Sequence, residues 1–237
     1  MAPQSIFRNV KPHILFRIEA DKPGLADNQM ENNKTMRILL AVTGASGQIY
    51  AQKMLQIIEK TQKEQNNQSE QKIQKEQNKE QIQISIVFTD TAKIVWEDEL
   101  GRPTPGGALD NNSYYHPFAS GSNAADVMII LPATMGTIGR IASGATADLI
   151  TRAADVMLKE RRPLIICPRE TPFNLIHLRN LTTLAQAGAL IAPASPSFYT
   201  HPKDLDTLIE TFVLRIINLA GINIQQPRFG QLVSDPG

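Results

Sequence analysis

Residues 37–51, RILLAVTGASGQIYA, contain the unit that decides the fold. The run RILLAV at 37–42 is continuously apolar, which is typical of a strand buried on both faces. TGASG at 43–47 then supplies the small residues of a tight turn. From Gln48 onward the apolar side chains recur at helical spacing, at Ile49, Met54, Leu55, Ile57 and Ile58. The stretch therefore predicts a strand, a turn and a helix in immediate succession.

The same alternation continues along the chain. Four further short apolar runs predict strands at 82–89, 127–131, 164–167 and 189–192. Helical patterns follow or separate them at 91–99, 137–142, 147–159, 172–187 and 202–219. Uninterrupted apolar strands that alternate with helices indicate a parallel sheet with both faces covered. The predicted fold class is α/β, a doubly wound, flavodoxin- or Rossmann-like parallel sheet with helices on both faces.

Composition excludes several classes of function. The chain has 237 residues and a formal net charge of +1, so its overall charge does not favour capture of nucleic acid or of an anionic membrane. No apolar run is long enough to span a bilayer. The only cysteine, Cys167, cannot form an intramolecular disulfide, which favours a reducing compartment and a cytoplasmic protein.

Three segments stand apart from the α/β pattern. Residues 1–35 predict a disordered or loosely docked tail, with a targeting segment as the alternative because 1–18 carries three basic residues and no acid. The domain is placed at 36–230, followed by a carboxyl-terminal tail at 231–237. Residues 60–81, rich in Gln, Lys and Glu, predict a solvated, partly helical insertion. Because the insertion links a helix to the next strand, we expect it at the amino-terminal edge of the sheet, away from any active site.

Ligands of such sheets bind beyond the carboxyl ends of the strands, so the residues after each apolar run are the candidates. The first run is followed by the turn 44–47, the third by PATMGT at 132–137, and the fourth by Arg169 and Glu170. A further small polar loop lies at 120–123. We expect the three small-residue loops to converge on one edge, which favours a phosphate-bearing ligand. The alternative, that small residues merely make tight turns, stays open.

The residues argue against three other kinds of site. The four histidines, at 13, 116, 177 and 201, have no ligand spacing, so no metal is expected. Cys167 lies inside an apolar run, where an inert buried thiol is more typical than a nucleophile. The sequence also lacks the Gly-x-Ser-x-Gly turn of hydrolases.

Four blocks of sequence resemble the flavin prenyltransferases, the UbiX-like enzymes, from residue 37 to about residue 230. They are TGASGQIYA at 43–51, SGS at 120–122, the long block ADLITRAADVMLKERRPLIICPRETPFNLIHL at 147–178, and PSFYTHP at 196–202. The resemblance implies a metal-independent enzyme that transfers a dimethylallyl group from dimethylallyl phosphate to N5 and C6 of reduced FMN. The product, prenylated FMN, would serve a partner decarboxylase. Members assemble as dodecamers, so a homo-oligomer is expected.

The resemblance also implies roles for individual residues. The positions that match catalytic residues of the family are Ser46, Glu99, Lys159 and Glu170. Those that match FMN-binding residues are Gly44, Ala45, Ser46, Thr89, Thr134, Met135, Gly136, Thr137, Arg152 and Arg169. Those that match binding residues for the allyl phosphate are Lys159, Arg169, Tyr199 and Arg215. Thr134 and Thr89 stand where serine is frequent in the family, and both substitutions keep the hydroxyl group.

Two alternatives share the fold. An FMN-dependent decarboxylase of the phosphopantothenoylcysteine type has a segment like ASGATAD at 142–148, but it uses a histidine after its second strand, and residues 89–99 contain none. A non-catalytic flavin-binding protein would keep the FMN turns and have no use for Lys159, Glu170 or Arg215.

Overall fold

The computed structural model describes residues 35–71 and 81–226, without the side chains of 65–71. The described part contains five strands: β1 (Thr35–Val42), β2 (Gln81–Phe88), β3 (Val127–Ala133), β4 (Leu164–Pro168) and β5 (Leu190–Ile191). All neighbouring strands are parallel, in the order β2-β1-β3-β4-β5. This is the flavodoxin-like order of a doubly wound sheet, so the predicted fold class is confirmed.

Six helices accompany the strands in the described residues: α1 (Gln48–Gln71), α2 (Asp90–Leu100), α3 (Met135–Ala142), α4 (Leu149–Lys159), α5 (Leu175–Gln186) and α6 (Leu205–Leu219). Two short 3₁₀ turns, Pro117–Ala119 and Gly121–Asn123, precede β3.

The core has two layers because successive side chains of a strand point to opposite faces of the sheet. Ile38, Leu40 and Val42 pack with α1, α2 and α6, whereas Leu39 and Ala41 pack with α3, α4 and α5. All five of these β1 residues are fully buried. The continuous apolar run RILLAV is thus a central strand that is covered on both sides, as its composition predicts.

Capping residues correct the predicted starts of two helices. We expected helices from residues 172 and 202, where prolines suggested a first turn. The helices α5 and α6 begin three residues later, because Asn174 and Asp204 accept hydrogen bonds from the backbone N–H groups of His177 and Thr207. Asn and Asp are preferred residues before the first turn of a helix, because their side chains accept hydrogen bonds from its free N–H groups.

The low-complexity segment begins as a continuation of α1, which extends to Gln71. The side-chain amide of Gln62 donates a hydrogen bond to the carbonyl of Ile82 at the start of β2 (2.8 Å). The segment therefore enters at the amino-terminal edge of the sheet. Residues 72–80 and both predicted tails, apart from Thr35 at the start of β1, lie outside the described residues. Within the described residues, the structure contains no helix with the length and apolar character of a membrane span.

Candidate active site

The turns that follow β1, β3 and β4 are joined by hydrogen bonds at the carboxyl edge of the sheet. Thr43 is the central link: its hydroxyl donates to the carbonyl of Pro132 (2.8 Å) and accepts from the backbone N–H of Thr134 (2.8 Å). The N–H of Arg169 donates to the carbonyl of Ala133 (3.2 Å). The sequence thus correctly predicted that these turns meet, but it did not single out Thr43. The available signal was a polar residue immediately after a buried strand.

The turn 44–47 is packed closely against α2 and braced from inside by Gln48. A Cβ atom on Gly44 would lie 2.5 Å from the methyl group of Thr91, so only glycine fits there. Gln48 is fully buried, and its amide donates to the carbonyls of Thr43 (2.9 Å) and Ala45 (2.7 Å). Ser46 is exposed at the tip of the turn. The packing fixes the backbone of the turn and presents the Ser46 side chain outward.

The carboxylate of Glu99, a residue of the last turn of α2, binds the amino terminus of α1. Its carboxylate accepts hydrogen bonds from the N–H of Gly47 (2.9 and 3.1 Å) and from the N–H of Gln48 (2.8 Å). It reaches this position because α2 lies close to the carboxyl edge, where Trp96 packs edge-on against Phe88 at the end of β2 (5.3 Å between ring centroids). These two N–H groups therefore hold a carboxylate, and not the phosphate that the sequence suggested for this turn.

Thr89 and Thr134, two of the predicted FMN-binding residues, cap the amino termini of α2 and α3. The Thr89 hydroxyl accepts from the N–H of Ala92 (3.1 Å), and the Thr134 hydroxyl accepts from the N–H of Thr137 (3.1 Å). Gly136 in the first turn of α3 is exposed and has open space around it. The start of a helix carries partial positive charge and is a suitable place for a phosphate group.

Arg169 extends over the turn after β1. Its Cγ atom lies 3.8 Å from the position that a Cβ on Gly47 would take, and its guanidinium group is exposed. The same side chain acts on Tyr50: burial raises the pKa of this phenol, and the positive charge of Arg169 partly opposes the rise. Arg169 thus brings a positive charge beside Ser46 and Gly47.

Two adjoining cavities hold the remaining predicted residues of the carboxyl edge. One, of about 360 Å³, is lined by Arg169, Glu170 and Ser195, among others. The second, of about 250 Å³, is lined by Tyr199 and Arg215 and shares Ser195. Glu170 is exposed and accepts a hydrogen bond from the N–H of Thr171 (3.0 Å). Within the described residues, no hydrogen bond joins Glu170 to Ser46.

Lys159 and the loop 120–123 lie at the opposite, amino-terminal edge. The ammonium group of Lys159 binds the carboxylate of Glu160 (2.8 Å), and both groups lie against Gly121. The strand β4, which separates them from Arg169, spans about 16 Å. We expected the loop 120–123 to converge with the turns 44–47 and 132–137, and within one chain this is wrong; the role of Lys159 that the resemblance implies stays a prediction. The reason is the direction of the chain. The helix α4 ends at the start of β4 and the loop precedes the start of β3, and both strand starts lie at the amino-terminal edge.

Arg152 lies between the two edges on α4. Its guanidinium group donates to the carbonyl of Ala119 (3.2 Å) and to the carboxylate of Asp155 (3.2 Å). It therefore faces the short turn before the loop 120–123, on the same side of the molecule as Lys159.

Cys167 has no part in this site. It is fully buried in β4, and burial raises the pKa of its thiol, which keeps the group protonated and unreactive at neutral pH.

Comparison with known proteins identifies the family. The family model described as Flavoprotein matches residues 26–212. The flavin prenyltransferase UbiX of Methanocaldococcus jannaschii is 34% identical over 194 residues, which cover 79% of this chain and 95% of the relative. The flavin prenyltransferase UbiX of Pseudomonas aeruginosa is 39% identical over 222 residues, which cover 84% of this chain and 97% of the relative.

Solved structures agree with these relatives. AnUbiX (PadA1), solved in complex with FMN and dimethylallyl pyrophosphate, is 31% identical, with a TM-score of 0.69 over 83% of this chain and 100% of its own. A dodecameric FMN-dependent UbiX-like decarboxylase from Escherichia coli O157:H7 is 28% identical, with a TM-score of 0.69 over 82% of this chain and 99% of its own. The fold, the carboxyl-edge turns and the near full-length similarity lead to one conclusion: the chain belongs to the flavin prenyltransferase family of flavoproteins.

Proposed function

We propose that this protein transfers the dimethylallyl group of dimethylallyl phosphate to N5 and C6 of reduced FMN and releases phosphate. The proposal rests on one observation: the carboxyl edge, which is suited to bind a flavin, adjoins a cavity that is lined by an arginine. Arg169 lies over the turn 44–47, and the cavity that it lines with Glu170 adjoins the Tyr199 and Arg215 cavity through Ser195.

The helix termini determine where the phosphate group of FMN fits. Glu99 already binds the first N–H groups of α1, so a second anion there would be repelled. The starts of α3 and α2, at Thr134–Thr137 and Thr89, are the suitable places, since each has partial positive charge and a threonine hydroxyl. Met135 and Gly136 then belong to the phosphate-binding turn. The flavin ring would face Gly44, Ala45, Ser46 and Arg169.

The second cavity is suited to the phosphate of the allyl donor. As the C–O bond of the donor breaks, negative charge grows on the departing phosphate oxygen. The guanidinium group of Arg215 and the hydroxyl of Tyr199 would stabilise that charge through hydrogen bonds aimed at it. Arginine is well matched to the task because its planar group can bind two phosphate oxygens at once.

Glu170 is the group best placed to handle protons. Bound FMN would supply the two nucleophilic atoms, N5 and C6. When the second bond, a carbon–carbon bond, forms at C6, that carbon loses a proton and the double bond of the transferred group gains one. Glu170 is exposed at the mouth of the Arg169 cavity and can accept that proton directly or through the Ser46 hydroxyl.

A second copy of the chain would complete the site. Lys159, which matches a family position for the phosphate, lies at the amino-terminal edge of its own chain, and Arg152, which matches a family position for FMN, faces Ala119 instead of the turns at the carboxyl edge. Exposed apolar side chains on α5, at Leu175, Ile176 and Leu178, offer a surface for self-association. A similar solved protein is described as dodecameric. The proposal therefore includes a homo-oligomer, up to a dodecamer, in which Lys159 of one chain faces Arg215 of another.

The proposal extends to the setting of the reaction. Prenylated FMN would pass to a partner decarboxylase, the reaction would need no metal, and neither nucleic acid nor a membrane would take part. The chemistry supports metal independence, because arginine, lysine and hydroxyl groups can balance the charge of the departing phosphate. We place the protein in the cytoplasm, which the single buried cysteine favours.

An anaerobic assay tests the proposed function. The purified protein is mixed with reduced FMN and either dimethylallyl phosphate or dimethylallyl pyrophosphate, and the flavin is examined by mass spectrometry and absorbance. We expect a flavin heavier by one dimethylallyl unit with the phosphate donor. Unchanged FMN with both donors, from a folded oligomer, would contradict the proposal.

A further inference from the structure

We propose that the hydroxyl group of Thr200 binds the phosphate of the allyl donor, beside Tyr199 and Arg215. The inference rests on the proposed function, because it concerns the cavity in which that phosphate would lie. Neither the sequence pattern nor the family resemblance singled out Thr200 as a binding residue. The signal lies in the structure, in a buried polar atom that has no hydrogen-bond partner.

The hydroxyl of Thr200 is an unsatisfied group in the wall of a cavity. Its Oγ1 atom is buried and makes no hydrogen bond within the described residues, and the residue lines the cavity of about 250 Å³. Buried polar groups nearly always have a partner, because a hydroxyl that is removed from water without a new hydrogen bond costs free energy. An unsatisfied hydroxyl in this place therefore indicates that a ligand supplies the missing bond.

A tight turn holds Thr200 next to Tyr199. The N–H of His201 donates to the carbonyl of Phe198 (3.0 Å), so Tyr199 and Thr200 are the two central residues of the turn. Both side chains line the same cavity. The turn thus places the unsatisfied hydroxyl beside a residue that matches a family position for the allyl phosphate.

The other groups of the cavity favour a ligand that is rich in acceptor oxygens. Ser195 and Ser197 add hydroxyl groups, and Arg215 adds a guanidinium group, which can donate hydrogen bonds but not accept them. Among the described residues that line the cavity, none is acidic. A phosphate group has several negatively charged oxygens, and hydrogen bonds from arginine and hydroxyl groups to such oxygens are strong. Thr200 would donate to one oxygen while Arg215 binds others.

Two substitutions of Thr200 separate the hydroxyl from the rest of the side chain. Thr200→Val keeps the volume and removes the hydroxyl, whereas Thr200→Ser keeps the hydroxyl and removes the methyl group. Thr61→Val is the matched control, because the hydroxyl of Thr61 already has a partner in the carbonyl of Ile57 within α1 (2.9 Å).

Three quantities are measured on each full-length variant: the KM for dimethylallyl phosphate, the Kd for FMN, and the free energy of unfolding in urea without ligands. We expect Thr200→Val to raise the KM by about tenfold, the effect of losing a hydrogen bond to a charged group, and to leave the Kd for FMN unchanged. Its free energy of unfolding should equal or exceed that of the wild type, because the hydroxyl has no partner to lose. Thr200→Ser should keep the KM within about threefold of the wild type. Thr61→Val should show the reverse pattern, a lower stability and an unchanged KM.

An unchanged KM in Thr200→Val would overturn the inference, and a lower stability of the same variant would show that the hydroxyl binds a buried water or the protein instead. Equal increases of the KM in Thr200→Val and Thr200→Ser would also overturn it, because the methyl group would then be the part that matters.

Inorganic phosphate provides a test that needs no turnover. Bound phosphate should raise the unfolding temperature of the wild type, and it should raise that of Thr200→Val less. Equal shifts in the two proteins would contradict the role of Thr200. A wild type that forms no prenylated flavin would refute the proposed function, while the phosphate shifts would still decide whether Thr200 binds phosphate.

Discussion

The two edges of the sheet hold their polar groups in different ways. At the carboxyl edge, side chains bind backbone groups of other turns: Thr43 joins two turns and Glu99 caps a helix. At the amino-terminal edge, exposed cations bind carboxylates: Arg162 pairs with Asp126 (2.9 Å), which also accepts from the backbone N–H of Arg37 (2.8 Å), and Lys159 pairs with Glu160 (2.8 Å). Bonds to the backbone fix a turn, whereas exposed ion pairs contribute little and exchange partners readily.

The weak ion pair at the amino-terminal edge leaves Lys159 able to change its partner. The side chains of Lys159 and Glu160 are 49% and 39% exposed, so Lys159 can leave Glu160 for a phosphate brought by another chain. The hydrogen bond from Lys159 and its positive charge lower the pKa of Glu160, which keeps this carboxylate ionised at neutral pH. We infer that the carboxyl edge is a preformed flavin site, and that the amino-terminal edge supplies a cation to a neighbouring copy.

The largest effect is expected at Glu170. Glu170→Gln keeps the shape of the side chain and removes the base, so prenylation should fall by about 100- to 10,000-fold, the usual contribution of a general base. The Kd for FMN should change little, because Glu170 binds the N–H of its own neighbour, Thr171. Single-turnover kinetics and fluorescence titration measure the two quantities. An unchanged rate would remove Glu170 from proton handling.

The packing of the carboxyl-edge turn is tested at Gly44. Gly44→Ala would place a Cβ atom 2.5 Å from the methyl group of Thr91, and the free energy of unfolding should fall by about 1–3 kcal/mol. Adding Thr91→Ser removes that methyl group and should restore part of the stability and of the FMN affinity. Urea denaturation of the wild type, Gly44→Ala and the double variant measures their free energies of unfolding. Equal stability of Gly44→Ala and the wild type would show that the turn is not tightly packed.

A smaller effect is expected at Thr43. Thr43→Val keeps the volume but leaves the buried N–H of Thr134 and carbonyl of Pro132 with fewer partners, so the free energy of unfolding should fall by about 1–2 kcal/mol. Since Thr43 joins the turns after β1 and β3, FMN affinity should fall as well. Thr61→Val, in which the lost bond lies within one helix, is the control. A larger loss in the control would contradict the linking role of Thr43.

The smallest effect is expected for the low-complexity segment. Removing residues 72–80 and closing the gap with a short Gly-Ser linker should leave the Kd for FMN and turnover within about twofold of the wild type, because the segment leaves α1 at the amino-terminal edge. Analytical ultracentrifugation would show that the oligomer is kept. Loss of activity from an intact oligomer would place this segment near the site.

Local pattern was enough to predict the sheet and the turns that meet at its carboxyl edge. Arg169 and Thr134 were candidates because each lies in the turn that follows an apolar run. The role of Glu99 could not be predicted in this way, because its partner Gly47 is 52 positions away in sequence and the contact depends on the path of α2. The place of Lys159 was predictable in principle, since a helix that leads into a parallel strand ends at the amino-terminal edge.

Mixed oligomers test the central claim, that the two edges of different chains form one site. Lys159→Ala and Arg215→Ala are each expected to be nearly inactive alone, because each removes a cation from every site. After the two variants are unfolded together and refolded as mixed oligomers, some sites would combine an intact carboxyl edge with an intact amino-terminal edge. We expect prenylation activity to return in the mixture to a substantial fraction of the wild-type value. A mixture as inactive as its two components, in verified mixed oligomers, would contradict it.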